Sequence, residues 1–194
     1  YSLVPLWIFS VLFSQSGYEI AKKMSEREVP KDIKSKLIMT LEDKKGRTRE
    51  SVIQSFTKDG GDKQIMWFLD PPDNRGISLY KIESDEGNDI MKMYLPAFKK
   101  VRKISSKRKS ESFMGSDLSF EDLYSRDLDD YSYDISFSDD NSEYIMISTP
   151  KENTESSYGK HISWIEEENL LITKEESYNK AGTLIKTKEF KYLI

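Results

Sequence analysis

Hydrophobic positions recur at two different intervals along this chain. Between Tyr18 and Arg27, the residues Ile20, Ala21 and Met24 stand among charges at a spacing of three to four, which predicts one amphipathic helix stopped by Pro30. From Ile33 the interval becomes two. Ile33, Leu37, Met39 and Leu41 fall on one side, with Lys34, Lys36, Thr40 and Glu42 mostly on the other. Asp43-Lys44-Lys45-Gly46 is a turn, and Arg47–Thr57 reads as the returning strand of a hairpin.

The same alternation of strand and polar turn continues. Asp59-Gly60-Gly61-Asp62 leads into the near-continuous apolar run Ile65–Leu69, which predicts a central strand. Gly76–Ile82 and Ile90–Leu95 follow, and Lys99–Ile104 is placed to pair back across Pro96. A Gly115-Ser116-Asp117 turn precedes a short helix expected over 119–124, with Ser119 as its N-cap and acids in its first turn. Strands are then expected at Tyr131–Phe137, Glu143–Thr149, Lys160–Glu166, Leu170–Tyr178 and Thr183–Tyr192. Short polar turns between successive strands predict a mostly antiparallel α+β fold. Roughly ten strands rarely stay flat and open; they curl, split or close. The simplest arrangement is a strongly curved sheet with few helices covering its concave face.

Ahead of this pattern, Leu3–Phe13 is apolar over about eleven residues, whereas a membrane-crossing helix needs roughly 20. Ser14-Gln15-Ser16 before Gly17 gives a small-x-small pattern. The stretch 1–16 therefore reads as the remnant of a secretory signal rather than a buried first helix, and a single exported domain is expected over 17–194. A strand signal that stops just before Ile194 reads as a C-terminal truncation.

Composition removes most enzyme chemistry. The chain has 194 residues, no cysteine and a single histidine, His161, so disulfides, thiolate metal sites, Cys nucleophiles and two-imidazole sites are excluded. A net charge of −4 argues against a dedicated nucleic-acid binder. Asp117, Glu121 and Asp122 match no calcium loop, and acids at a helix start need no catalytic explanation. His161 alternates with Ile162 and Trp164 and reads as an outward or rim residue. No GxSxG, GxGxxG, P-loop or HExxH motif is present. Neither catalytic residues, a metal site nor a cofactor is expected.

Two other features point to binding. Methionines and aromatics crowd the strands, and Met adapts to variable apolar shapes. Leu37, Met39, Leu41, Trp67, Met91, Met93, Leu95, Met146 and Trp164 are the candidates to line an apolar cavity; for each taken singly an ordinary core position is the better reading, and the cavity rests on them collectively. Lys99–Lys109 holds seven cations in eleven residues. Lys99, Lys100, Arg102, Lys103, Lys107 and Arg108 are candidates for contact with lipid headgroups or a protein partner; the alternative is a charged strand edge that resists aggregation.

The order of the most particular elements resembles that of the periplasmic outer-membrane lipoprotein-sorting proteins of the LolA-like superfamily. The matching elements are Pro71-Pro72-Asp73-Asn74-Arg75-Gly76, Tyr94-Leu95-Pro96, Val101-Arg102-Lys103-Ile104, Tyr158-Gly159-Lys160 and Gly182-Thr183-Leu184-Ile185-Lys186. Most specific is Phe113-Met114-Gly115-Ser116-Asp117 followed by Phe120-Glu121-Asp122-Leu123. The resemblance implies an incomplete antiparallel β-barrel whose helices plug a cavity for lipid or lipoprotein acyl chains, with no catalytic residues. It further implies a periplasmic location, lipid or acylated cargo, and an association with RND-type membrane transporters. The functional expectation is transfer of hydrophobic cargo; the alternative is a non-catalytic adaptor of such a transporter.

Overall fold

A computed structural model describes residues 17–84, 89–138 and 142–192. The expected signal remnant, 1–16, lies outside them. The chain divides into two compact units. One is Glu28–Ser125; the other joins the N-terminal stretch through Arg27 to the chain from Arg126 onward.

Glu28–Ser125 carries a six-stranded meander: β1 (Ile33–Glu42), β2 (Thr48–Lys58), β3 (Lys63–Asp70), β4 (Ser78–Ile82), β5 (Ile90–Leu95) and β6 (Lys100–Lys103), hydrogen-bonded in that order. The hairpin turns carry the chemistry such turns demand. At β1–β2 the Asp43 carboxylate accepts from the backbone N–H of Lys45 (2.8 Å) and Arg47 (3.1 Å), while Gly46 sits at φ 72°, open to glycine without strain. Register does the sorting. Ile53 faces Phe68, Met66 faces Leu79, and Leu79 faces Met93, so the period of two delivers them to one side of the sheet. There they pack with Met91 and Ile104 into a single apolar cluster, each large side chain contributing roughly 2 kcal/mol by leaving water.

The cover for that side is the segment after β6. Phe113 and Phe120 are buried; the Phe113 ring lies 6.1 Å from Phe68 and 5.8 Å from Phe120, centroid to centroid. A tight turn drives Phe113 inward. Its N–H donates to Leu118 O (2.7 Å), and the Ser116 hydroxyl donates to Phe113 O (2.6 Å). Met114 and Gly115 are both left-handed, at φ 54° and 77°, and Arg49 Nη2 donates to Met114 O (3.1 Å). The helix expected over 119–124 is only one 3-10 turn, Glu121–Leu123. Its capping also runs opposite to expectation: Asp122 Oδ2 accepts from the Ser119 N–H (2.7 Å) and hydroxyl (2.8 Å). At its end buried Lys81 donates to the Leu123 carbonyl at 2.7 Å and pairs with Glu83.

The second unit contains helix α1 (17–25) and a five-stranded meander: β7 (Tyr131–Phe137), β8 (Glu143–Pro150), β9 (Tyr158–Glu166), β10 (Ile172–Asn179) and β11 (Leu184–Glu189). Ala21 packs with Tyr131, Tyr133, Met146 and Ile165. Gly17 permits the approach of α1 to β7, since a Cβ there would lie 2.6 Å from Tyr133 O. Side-chain bonds hold the helix at both ends: Tyr18 OH to Asp129 Oδ1 (3.0 Å), and Arg27 Nη1 to Leu170 O (3.2 Å). The fold class is the expected one, mostly antiparallel β with few helices and no closed barrel. β1 and β6 end one sheet, and β7 and β11 the other. Among the described residues there is one α-helix, and no helix is long and apolar enough to cross a membrane.

Candidate functional site

Beside α1, between one flank of the helix and strands β7 and β8, lies a cleft of about 230 Å³. Glu19, Ile20 and Lys23 line it from the helix, Ile135, Ser136 and Phe137 from β7, and Tyr144 from β8. Its chemistry is apolar walls with a charged rim. Phe137 and Tyr144 are cross-strand partners with ring centroids 4.9 Å apart, and Phe137 is half exposed. The tyrosine hydroxyl donates to Glu167 Oε1 (3.3 Å), and its pKa is raised, first by burial and then by the Glu167 charge. Pockets for whole drug-sized ligands run to about 300–1,000 Å³, so this cleft suits part of a chain-like molecule.

The same sheet carries a second, polar constellation. Glu175 on β10 is buried, yet its carboxylate takes both Arg126 nitrogens (2.7 and 2.8 Å), Lys188 Nζ (2.8 Å) and the Ser163 hydroxyl (3.3 Å). Burial alone would raise this carboxyl; the hydrogen bonds and charges of Arg126 and Lys188 outweigh it and hold the pKa at about 2. One strand away, His161 Nδ1 lies 2.9 Å from Ser177 Oγ and 3.4 Å from Arg126 Nη2. His161 is 1% exposed, which corrects the outward position expected from its alternation with Ile162 and Trp164. A polar face turns inward here because β10 offers Ser177 and Glu175 across from His161 and Ser163.

Serine, histidine and glutamate in proximity invite a hydrolytic reading, and the geometry answers it. Ser177 is 0% exposed, so no substrate reaches its oxygen. Glu175 lies 4.0 Å from His161 Nδ1 but is committed to two cations, and a carboxyl at about 2 is a poor proton acceptor near neutrality. The constellation is an ionic tie within the sheet. Among the described residues, no group of three or more His, Cys, Asp or Glu stands close enough to hold a metal ion.

The residues chosen from sequence for a cavity are dispersed over both units. Met91 and Met93 are packed inside the six-stranded unit, with Met39 and Leu95 against the same core. Leu41 borders a polar cleft beside Arg47 and Arg49, and Leu37 is 40% exposed on the same side of the sheet. Trp67 lies on the opposite side from Met66 and Phe68, at 37% exposure. Met146 is core in the five-stranded unit, while Trp164 stacks under Lys174 Nζ at 4.3 Å, away from the His161 side. None of the nine lines the α1 cleft, which Ile20, Ile135 and Phe137 form instead. The available sequence signal was Ile20 on the predicted helix face.

Of the basic candidates, Arg102 and Arg108 pair with Glu111 at 2.7 and 3.5 Å. Lys99, Lys100, Lys103 and Lys107 are exposed on and beside β6, the edge strand. Phe113, Met114, Gly115, Ser116 and Asp117 form the turn that covers the six-stranded core.

The chain has a LolA-like fold. A domain from Vibrio parahaemolyticus assigned to outer membrane lipoprotein sorting is 25% identical, with a TM-score of 0.80, covering 88% of this chain and 75% of its own. A LolA superfamily protein from Nitrosomonas europaea has a TM-score of 0.64 at 19% identity, over 93% of this chain and 78% of its own, and shares the fold. A DUF1329 family protein from Desulfovibrio piger is 30% identical with a TM-score of 0.79, over 89% of this chain and 76% of its own. The profile of a family described as "Uncharacterized protein" matches residues 60–193. The chain belongs to the DUF1329 family, on a lipoprotein-sorting-like binding fold. No curated protein matches it.

Proposed function

We propose that this protein is a periplasmic carrier that binds lipidic or acylated cargo and moves it between membranes, with the cleft beside α1 as its apolar contact. The observation that carries this reading is the apolar wall of Ile20, Ile135 and Phe137 beside a helix seated on the sheet through Ala21 and tied by side-chain bonds near its two ends. Desolvation supplies the affinity at about 0.8 kcal/mol per buried CH₂, so even a short stretch of acyl chain binds usefully. The side-chain bonds at the helix ends are exposed and individually weak, so α1 shifts outward as a chain enters. The likeness to a domain assigned to lipoprotein sorting supports the same class of cargo.

The test is native mass spectrometry of protein purified from cells, with titration of a fluorescent fatty-acid probe. Bound lipid and saturable probe binding are expected, and Ile20→Ser should weaken the probe by roughly thirtyfold, the equivalent of about 2 kcal/mol of lost apolar contact. Protein that carries no lipid and ignores the probe would sink the proposal.

A further inference from the structure

The side of the six-stranded sheet opposite its core is unlike an ordinary solvated sheet face. Register sets two lines of side chains across it. One runs Lys34, Phe56, Ile65, Tyr80, Lys92, Lys103, and the next runs Lys36, Gln54, Trp67, Ser78, Tyr94, Val101. Phe56, Trp67, Tyr80 and Tyr94 are each between 37% and 39% exposed, and Val101 is 65% exposed. Phe56 and Trp67 meet edge to face at 5.6 Å, and Lys34 Nζ stands 5.4 Å from the Phe56 ring centre. A soluble surface rarely presents so continuous an apolar band.

We infer that this face docks on an anionic lipid surface, through aromatic rings set among lysines. Three points single out that partner. Trp and Tyr favour the boundary between water and hydrocarbon, where an apolar ring and a polar tip are both satisfied. Lys34, Lys36, Lys92 and Lys103 are exposed cations, and lysine is depleted at protein–protein interfaces but attracted to anionic headgroups. Lys92 and Lys103 are direct cross-strand partners, an arrangement of like charges that is unfavourable until an anion meets it. Of the acids on this side, Glu42 and Glu50 lie toward the β1–β2 turn, away from the Lys92–Lys103 end, and Asp70, opposite Val52, pairs with Arg75 at 3.5 Å. This inference stands apart from the carrier reading, because it uses no residue of the α1 cleft.

The experiment is co-sedimentation of the full chain with vesicles of phosphatidylethanolamine and phosphatidylglycerol, against vesicles of phosphatidylcholine alone. Binding to the anionic vesicles that weakens with added salt is expected. The double variants Trp67→Ser/Tyr94→Ser and Lys92→Glu/Lys103→Glu should each weaken it at least about tenfold, whereas Lys180→Glu leaves it unchanged. Circular dichroism and fatty-acid probe binding of every variant should match the parent, which separates a failure of docking from a failure of folding or of cargo binding. Absence of vesicle binding by the parent, equal binding to neutral vesicles, or full binding by both double variants would each overturn the inference.

Discussion

The two sheets solve the problem of an interior in opposite ways. The six-stranded sheet fills its covered side with Ile53, Met66, Phe68, Leu79, Met91 and Met93, and closes it with two phenylalanines from a single turn. The five-stranded sheet has an apolar end under α1, but its other end is built from serines, a histidine and a carboxylate neutralised by two cations. An apolar interior is insensitive to pH and tolerant of small shifts. The ionic one gains directionality and becomes conditional on every partner being present. The unit with the conditional interior is also the one that carries the cleft.

The sharpest way to break this comparison is to remove the plug. Phe113→Ala should cost about 3–5 kcal/mol, seen as a lower midpoint in urea unfolding, because the vacated space between Phe68 and Phe120 has no neighbour to collapse into it. In the other interior, Arg126→Ala should cost about 3 kcal/mol by leaving Glu175 buried with less compensation. The same pair sets an acid limit. Its carboxyl is more acidic folded, at about 2, than its ordinary 4.5, so the stability it contributes is whole above pH 4.5 and gone near pH 2. A shift of that size is worth about 3 kcal/mol, and thermal midpoints measured across this range should show it in the parent but not in Glu175→Gln. The smallest effect belongs to the helix seat. Gly17→Ala should cost about 1–3 kcal/mol by pushing α1 off Tyr133 O, and probe affinity should change with it while the six-stranded unit keeps its stability.

Much of the architecture is legible in the sequence because turn chemistry and a period of two are local. Tyr131–Phe137 and Ile90–Leu95 are strands with the expected bounds, and the Asp43–Gly46 turn forms as read. The division into two sheets is not local, since nothing in a strand's own residues says which neighbour comes last. Trp67 shows how a face is lost: in the continuous run Ile65–Leu69 every residue is apolar, so only pairing reveals that Met66 and Phe68 turn inward. His161 and Ser163 show the reverse. Their polarity marks them as solvent-facing until the partners on β10, and Arg126 from 49 residues earlier than Glu175, make burial affordable. The cleft was missed because its walls come from α1 and β7, and no single segment carries its outline.

The discontinuity of the second unit has a kinetic consequence. Every strand of the six-stranded sheet pairs with a chain neighbour, so Glu28–Ser125 forms from local hairpins as soon as it is available. The seat of α1 must wait, because Tyr18 meets a partner 111 residues further on. Closing so long a loop costs entropy, and prior compaction of the inserted segment shortens its effective span. The cleft therefore cannot form until β7 and β8 have followed the inserted unit, since its walls come from α1 and from those two strands.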